Sequence, residues 1–212
     1  MRETTFHFMS PISWYFSRKF ADFAGLFMCF AATVLFALLF LQDMRKNTYE
    51  LLHTKPISAA GYVAGKAAGG FLVSLLVLGF LTLLFWLACL ICTRKAGFVN
   101  RLGDFLQAAI LYVIPDLLMI VCVYTFVSIL FQNPIPAAPM LILYMIYSNM
   151  GKVGQDQAGV YYIQPLSIMT RFEGTLFQVT SPPDILVNQL FLLVSSSAML
   201  LCSILIWRRR RV

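Results

Sequence analysis

The stretch "FLVSLLVLGFLTLLFWLACLIC" at residues 71–92 decides the fold, because it contains no charged residue. As a helix rising 1.5 Å per residue it would be about 33 Å long, enough to cross a hydrocarbon core of about 30 Å. The whole chain of 212 residues is 60% hydrophobic and 12% charged, which is far from the composition of a soluble domain. The stretch therefore predicts a membrane helix, and the composition predicts that it is one of several.

Further apolar runs lie on both sides of this stretch. Long runs of apolar residues indicate helices that cross a membrane. We therefore expect an all-α fold, a polytopic membrane helix bundle that forms a single domain over residues 1–212. The predicted transmembrane helices, about five in number, cover 24–42, 61–92, 105–131, 135–150 and 185–207. The fourth is the shortest and begins among prolines.

The N-terminal segment contains no continuous apolar run, so no cleavable signal peptide is predicted. Trp14, Tyr15 and Phe16 stand beside Arg18 and Lys19, a combination typical of the membrane interface. We expect an interfacial segment here that leads into the first span.

Positive charge predicts the orientation. The net charge is +7, and the basic residues are scattered between the spans, so nucleic acid is not an expected partner. Lysine and arginine are equally numerous on the two predicted sides, and the orientation therefore depends on the cluster Arg208–Arg211, which directly follows the last span. Under the positive-inside rule the C-terminus is cytoplasmic, the loop 43–60 is cytoplasmic and the segment 151–184 is external. We expect a multi-pass protein of the cell membrane, of the bacterial plasma-membrane type.

The segment "NTYELLHTKPISAAGYVAGKAAGG" at residues 47–70 precedes the decisive stretch. Asn47 and Glu50 have the spacing of a capping box, which predicts a short amphipathic helix over about 44–55. The apolar face of that helix consists of Tyr49, Leu51 and Leu52. On the cytoplasmic side such a helix is either a docking surface for a partner or an interfacial helix without one.

Pro56 ends this helix, because a proline moves the preceding residue, Lys55, out of helical geometry. Ser58 can then cap a new helix that runs into the second span. Two elements are therefore expected between the first two spans, a surface helix and the cytoplasmic start of a membrane helix.

Three glycines, Gly61, Gly65 and Gly69, recur every four residues at the start of the second span. This spacing places them on one helix face, and small residues on one face let another helix approach closely in lipid. Lys66 lies beside them and is expected to extend its ammonium group to the inner head groups. The face predicts helix packing, with or without a mechanical role.

Asp116 follows Pro115 within the third span. A carboxylate inside a membrane is costly and indicates function, here a place on a substrate path. The alternative is that Asp116 lies near the outer boundary and is hydrated. Pro115 is expected to kink the helix.

The external segment 151–184 is too long for a simple turn. Phe172, Leu176 and Phe177 alternate in it with Arg171 and Glu173, which predicts an amphipathic or re-entrant piece near the outer leaflet. A disordered loop with a solvated ion pair is the alternative.

The five cysteines do not form a recognisable framework. Cys89 and Cys92 make one CxxC at the end of an apolar helix, without a second CxxC and with two histidines in the whole chain. We expect structural thiols rather than a redox or metal site.

The motif "YELLHTKPISAAGYVAGK" at 49–66 resembles the segment between the second and third spans of type 2 ABC transporter permeases. The matching residues are Glu50, Leu51, Leu52, Pro56, Ile57, Ser58, Tyr62, Gly65 and Lys66. "LYVIPDLLMIVCVYTFVSILFQNP" resembles the fourth span of that family, and "ILVNQLFLLVSSSAMLLCSILIWRRRR" resembles its closing span and basic tail. The likeness covers about residues 20–211 through the order of the spans. Members have six spans with both termini inside, and by this likeness we expect the first span to be missing here, either because the sequence is short at its N-terminus or because this branch has lost it.

The resemblance implies the transmembrane subunit of an ATP-driven exporter, which is not itself an enzyme. Two separate ABC ATPase subunits would bind ATP and Mg, and a second permease chain, identical or different, would complete a dimer in the lipid bilayer. The helix at 44–55 would be the coupling helix. The residues implied in coupling are Arg45, Asn47, Tyr49, Glu50, Leu51, Leu52, Lys55, Pro56 and Ser58. No phosphate-binding G-x-x-x-x-G-K-[ST] occurs in the chain, and no cofactor is expected on it.

The many phenylalanines suit an amphipathic or lipid-like cargo, such as a peptide, a drug or a lipid-linked molecule. Two alternatives remain at this stage. One is a non-catalytic assembly or anchoring subunit held through the glycine face. The other is a membrane-embedded enzyme, for which Asp116 alone supplies neither metal ligation nor a pair of acid–base groups.

Overall fold

The structure, a computed structural model, describes residues 12–45, 58–94, 99–150, 152–153, 161–162, 164–172 and 185–210. Its helices are α1 (Ile12–Arg45), α2 (Ala59–Thr93), α3 (Leu102–Ala108), α4 (Ile114–Phe131), α5 (Ala137–Asn149) and α6 (Ile185–Arg210). A π-helical segment, Ala109–Val113, joins α3 to α4. Two strands of two residues each, β1 (Lys152–Val153) and β2 (Tyr161–Tyr162), pair antiparallel. The expected all-α membrane bundle is confirmed.

Within the described ranges, four helical stretches are long and apolar enough to cross a membrane: Ser13–Leu41, Ala59–Thr93, Leu102–Phe131 and Ile185–Arg209. Their burial differs widely. In Leu102–Phe131 72% of the apolar stretch is buried inside the protein, whereas in Ala59–Thr93 the share is 17%. The stretch Leu102–Phe131 therefore lies at the centre of the bundle. The helix α2 lies at the periphery, with most of its surface open to the surroundings.

Hydroxyl side chains inside these helices bond to their own backbone. Thr33 donates to the carbonyl of Cys29 at 2.8 Å, and Thr82 donates to Leu78 at 2.7 Å. Further donors with the same four-residue spacing are Ser74, Thr93, Thr125, Ser148, Ser197 and Ser203. A hydroxyl that finds a carbonyl in its own helix needs no water, which is how these residues are accommodated in apolar surroundings.

Two ends of the bundle can be distinguished. One end, which we call the Asp22 end, contains the beginning of α1 and the end of α2. At the beginning of α1, Ser13 donates to Asp104 of α3. At the end of α2, Asn100 donates to the Cys89 carbonyl at 3.3 Å. The opposite end, the Trp207 end, joins the beginning of α2 to the end of α6, because Tyr62 stacks on Trp207 with ring centroids 4.4 Å apart. The first described helix thus begins at one end and the last helix finishes at the other.

The central helix α4 and the last helix α6 run parallel. Ser196 donates to the sulfur of Met119 at 3.6 Å, and Trp207 packs with Ile129 further along both helices. Since α4 ends at the Trp207 end and α6 begins at the Asp22 end, the chain between them must return along the bundle.

The return is made by α5, which corresponds to the predicted fourth span. Its 13 residues are about 20 Å long, less than the thickness of a hydrocarbon core. Its last residue, Asn149, nevertheless accepts a 2.7 Å hydrogen bond from Arg171 at the Asp22 end. The described helices therefore make five passages along the bundle, of which four have spanning length on their own.

The first helix is longer than expected. It begins at Ile12, so the segment predicted to lie at the interface is its first turns. Ser13, Ser17 and Asp22 are buried there, each at 4% exposure or less. These turns are therefore part of the packed bundle, and the predicted start at residue 24 is too late.

The contact between α1 and α2 depends on a glycine. A β-carbon at Gly70 would lie 2.6 Å from an atom of the Phe36 ring, closer than real contacts allow. A β-carbon at Gly69 would have nothing within 4 Å. Gly70 thus provides the space that lets the Phe36 ring lie flat against the backbone of α2.

We expect Gly70→Ala to lower the free energy of unfolding by about 1–3 kcal/mol, because the added methyl group must displace a buried ring. The matched control is Gly69→Ala on the adjacent residue, which should leave stability unchanged or slightly higher. Thermal or denaturant unfolding of the purified protein in detergent measures both. Equal effects of the two substitutions would contradict this account of the α1–α2 contact.

Candidate functional site

The segment implied in coupling lies between α1 and α2. Arg45 is the last residue of α1, and the residues from 46 to 57 lie outside the described part of the chain, so the helix predicted over 44–55 remains a prediction. The implied residues in this undescribed part are Asn47, Tyr49, Glu50, Leu51, Leu52, Lys55 and Pro56. Ser58 is described, and its hydroxyl accepts a 3.1 Å hydrogen bond from the backbone N–H of Gly61. The predicted cap at the start of α2 is therefore confirmed.

The glycine face of α2 does not pack against another described helix of this chain. A β-carbon at Gly61 would meet only the hydroxyl of Ser58, and one at Gly65 would have nothing within 4 Å, as at Gly69. Close packing occurs instead on the neighbouring face, at Gly70. Packing of Gly61, Gly65 and Gly69 against a second chain remains a prediction.

Lys66 binds α2 to α1. Its ammonium nitrogen lies 4.1 Å from the centre of the Phe40 ring and 5.9 Å from that of Tyr62. A cation above an aromatic ring is attracted by the ring quadrupole. Because Tyr62 also stacks on Trp207, this group ties the ends of α1, α2 and α6 together at the Trp207 end.

Pro115 interrupts the central helix in a specific way. Proline has no backbone N–H to donate to a carbonyl four residues earlier, and its ring needs space there. The chain responds by widening into the π-helical segment, in which the N–H of Ile114 donates to the carbonyl of Ala109, five residues back. Such π-helical turns inside α-helices are frequent at functional sites.

Asp116 is buried in the interior beside this widened turn. It is 1% exposed, and neither carboxyl oxygen has a hydrogen-bond partner among the described residues. The oxygen Oδ2 lies 3.8 Å from the position that a β-carbon on Gly25 of α1 would take. Asp116 is therefore shielded by the protein, and Pro115 and Asp116 remain candidates for a substrate path.

A second buried carboxylate lies at the Asp22 end. Asp22 accepts a 2.6 Å hydrogen bond from Nε of Arg171 and a 3.3 Å bond from the backbone N–H of Phe172. Arg171 also donates to Asn149 at 2.7 Å. Three separate parts of the chain, α1, α5 and the segment 164–172, are thereby connected through one guanidinium group.

The segment 164–172, within the predicted amphipathic or re-entrant piece, is packed against the bundle. Ser167, Ile168, Met169, Thr170 and Phe172 are buried. Lys19 of α1 donates to the Phe172 carbonyl at 2.6 Å, and Asn188 of α6 donates to the Ser167 carbonyl at 2.8 Å. The remaining predicted residues, Glu173, Leu176 and Phe177, lie outside the described part.

Sequence reasoning missed the Asp22 network. Asp22 and Arg171 are 149 positions apart, and no local spacing relates them. The available signal was the isolated Asp22 beside the apolar run that begins at Ala24, because a lone carboxylate next to such a run needs a partner.

A large groove runs along the side of the bundle between α4, α5 and α6. Its volume is about 660 Å³. The lining is formed by Met119, Val123, Phe126, Val127, Leu130, Phe131, Met140, Leu141, Tyr144, Tyr147, Pro165, Leu166, Phe191 and Met199. The hydroxyls of Tyr144 and Tyr147 donate to the backbone carbonyls of Leu166 and Pro165, so their rings form the wall. The groove therefore offers an almost wholly apolar surface.

The cysteines stay free thiols in the described bundle. Cys89 is buried and Cys92 is exposed, and the Cys89 carbonyl accepts from Asn100. Within the described ranges, no group of three or more His, Cys, Asp or Glu side chains is placed to hold a metal ion.

We expect Arg171→Ala to lower the free energy of unfolding by about 3 kcal/mol, because it leaves the buried Asp22 carboxylate without its partner. Asp22→Asn in the same chain should recover part of that loss by removing the unpaired charge. Arg101→Ala, an exposed cation at the same end, is the control and should have no measurable effect. A double variant less stable than Arg171→Ala would contradict the proposed pairing; unfolding in detergent measures all four proteins.

Comparisons with known proteins leave the chain without a named relative: no family model, no curated protein and no solved structure matches it.

Proposed function

We propose that this chain is the transmembrane subunit of an ATP-driven ABC exporter, and that the connection between α1 and α2 couples it to separate ATPase subunits. The proposal is carried by one observation. The motif 49–66, which resembles the coupling segment of type 2 permeases, runs from the connection between α1 and α2 into the first turns of α2, and the end of α1 and the start of α2 both lie at the Trp207 end of the bundle. A segment that docks on the two cytoplasmic ATPase subunits must lie at the cytoplasmic end of the bundle, and both of its flanking helices must end there.

The basic end of α6 supports a cytoplasmic location for the Trp207 end. Tyr62 of α2 stacks on Trp207, and the exposed Arg208 and Arg209 follow directly. The four adjacent arginines at 208–211 are the strongest local concentration of positive charge in the sequence. By the positive-inside rule, the connection between α1 and α2 then faces the cytoplasm of a cell membrane.

The contacts at this end suit the transmission of a movement. Lys66 lies over the Phe40 ring, and Gly70 lets the Phe36 ring pack directly on the α2 backbone. The Phe36 and Phe40 rings also contact the Tyr124 ring of the central helix, whose hydroxyl donates to the Thr33 carbonyl at 2.6 Å. A displacement of the connection would therefore be passed from α1 and α2 to α4, because packed interiors transmit strain.

The groove between α4, α5 and α6 supports an amphipathic or lipid-like cargo. A volume of about 660 Å³ lies within the usual range for small-molecule sites. Its apolar lining continues from Leu130 and Phe131 at the Trp207 end to Pro165 and Leu166 at the Asp22 end. A hydrocarbon chain could follow it along the bundle without losing apolar surroundings.

One observation favours a second candidate function, a non-catalytic assembly or anchoring subunit. The open face at Gly65 and Gly69 is free of contacts with the described helices and would let a helix of another chain approach closely. The same face would also serve the dimer that the exporter requires. The two candidate functions therefore differ in one respect: the exporter subunit binds an ATPase and the anchoring subunit does not.

We expect the tagged chain to co-purify with a Walker-motif ATPase in stoichiometric amount. Glu50→Arg and Leu52→Asp should abolish this association and the ATP-dependent transport, because each reverses the chemistry of one side of the predicted coupling helix. Val99→Ala at the opposite end is the control and should change neither. An association that survives both substitutions, or the absence of any ATPase, would exclude the coupling role.

Filling the groove should reduce the binding of a hydrocarbon chain. Met140→Trp places a large ring in the groove and should strongly reduce labelling of the protein by a photoreactive fatty-acyl probe. Leu143→Trp, on the same helix but not in the groove lining, is the matched control and should retain labelling. Equal labelling of the two variants would show that the chain does not enter this groove.

A further inference from the structure

The two buried carboxylates of the bundle have opposite surroundings. Asp22 is 4% exposed and paired with Arg171 at 2.6 Å, whereas Asp116 is 1% exposed. No described residue donates a hydrogen bond to either oxygen of Asp116. One carboxylate is therefore compensated by a cation and the other is not.

No described cation lies within hydrogen-bond distance of Asp116. Gly25 of α1 faces Oδ2 across 3.8 Å, measured from the position of a β-carbon. Titratable groups that interact with Asp116 include the thiol of Cys29 on α1 and the phenol of Tyr144 on α5. Both are neutral groups, and the described cation Arg171 is bound to Asp22.

An unpaired ionised carboxylate in such a place costs far more than the neutral acid. Burial of an isolated charge in apolar surroundings is avoided in proteins by neutralisation of the group. A neutral carboxylic acid still has a polar O–H, but its burial costs far less than burial of the charge.

We propose that Asp116 is a proton-binding site within the bundle, which holds its proton while α1 and α4 are in contact and releases it when they separate and admit water. The site depends on the α1–α4 contact alone and is independent of any ATPase. Its ligand is the proton, and the Asp116 carboxyl is the acceptor.

The proposal fixes a direction for the effect of pH. The closed contact binds the proton, and the hydrated, open contact favours the ionised carboxylate. By linkage, acidic conditions stabilise the closed contact and alkaline conditions favour its opening. Tyr124, which bonds α4 to Thr33 two turns further along α1, would oppose that opening at every pH.

The experiment uses a hydrophobic carbodiimide on the full chain in lipid vesicles. The acid proton moves to a carbodiimide nitrogen and the carboxylate oxygen bonds to the central carbon; the adduct then rearranges to a stable N-acylurea, which mass spectrometry locates. The paired Asp22 is the internal control, because an ionised carboxylate has no proton to give. We expect label on Asp116 and not on Asp22 in the folded protein, and on both after denaturation at about pH 4, where exposed aspartic acid side chains are partly protonated.

Two outcomes would overturn the proposal in favour of a bound cation. One is label on Asp22 alone. The other is protection of Asp116 from the label that is removed by chelators or by changes of salt. Asp116→Asn adds a second measurement, because asparagine has the shape of the neutral acid. Its unfolding midpoint should match that of the natural chain, whereas the loss of an ionised, cation-bound Asp116 would lower it.

Hydrogen exchange tests the coupling to the helix contact. The measured exchange rates are first corrected for the intrinsic effect of hydroxide. The corrected rates of the backbone amides in α1 and α4 around Gly25 and Asp116 should then increase with pH in the natural chain. The increase should be absent in Asp116→Asn. Identical pH profiles for the two proteins would overturn the coupling, and Asp22→Asn serves as the control that keeps the profile.

Discussion

The structure depends on a single constraint: apolar surroundings supply no water molecules that could form hydrogen bonds with polar groups. Each passage is helical for that reason, since a helix satisfies its own backbone. The hydroxyl groups of the spans follow the same rule by donating to the carbonyl four residues earlier, as Thr33 and Thr82 do. Groups that cannot be satisfied locally, such as Asp22, are satisfied by distant partners at one end of the bundle. Asp116 is the carboxylate for which the described chain provides neither solution.

The central helix organises the passages around this constraint. Tyr124 bonds it to α1, Ile129 packs on Trp207 of α6, and Pro115 widens its beginning into a π-helical turn. Because α4 and α6 are parallel, the intervening chain has to supply a return passage, and α5 with the segment 164–172 supplies it. The groove lies where this short return passage leaves the side of α4 uncovered.

Length and composition were sufficient to predict the class of fold, because a stretch such as 71–92 has no soluble alternative. The cap at Ser58 was also predictable, since capping is a local interaction. The packing face of α2 was not. A four-residue glycine spacing defines a face but not the direction in which it points, and the packed glycine is Gly70 rather than Gly69. The start of α1 at Ile12 was missed because its polar residues are compensated by parts of the chain far away in sequence. The coupling residues from 46 to 57 stay predictions.

The shortness of α5 has a consequence for biogenesis. A helix of 13 residues offers too little apolar length to be held across a bilayer by its own partitioning, and its last residue is fixed by Arg171, which is made later during synthesis. The passage can therefore be completed only after the segment 164–172 has left the ribosome and met Asp22 in a helix that was inserted first. Completion of this passage is therefore a step of tertiary folding within the membrane.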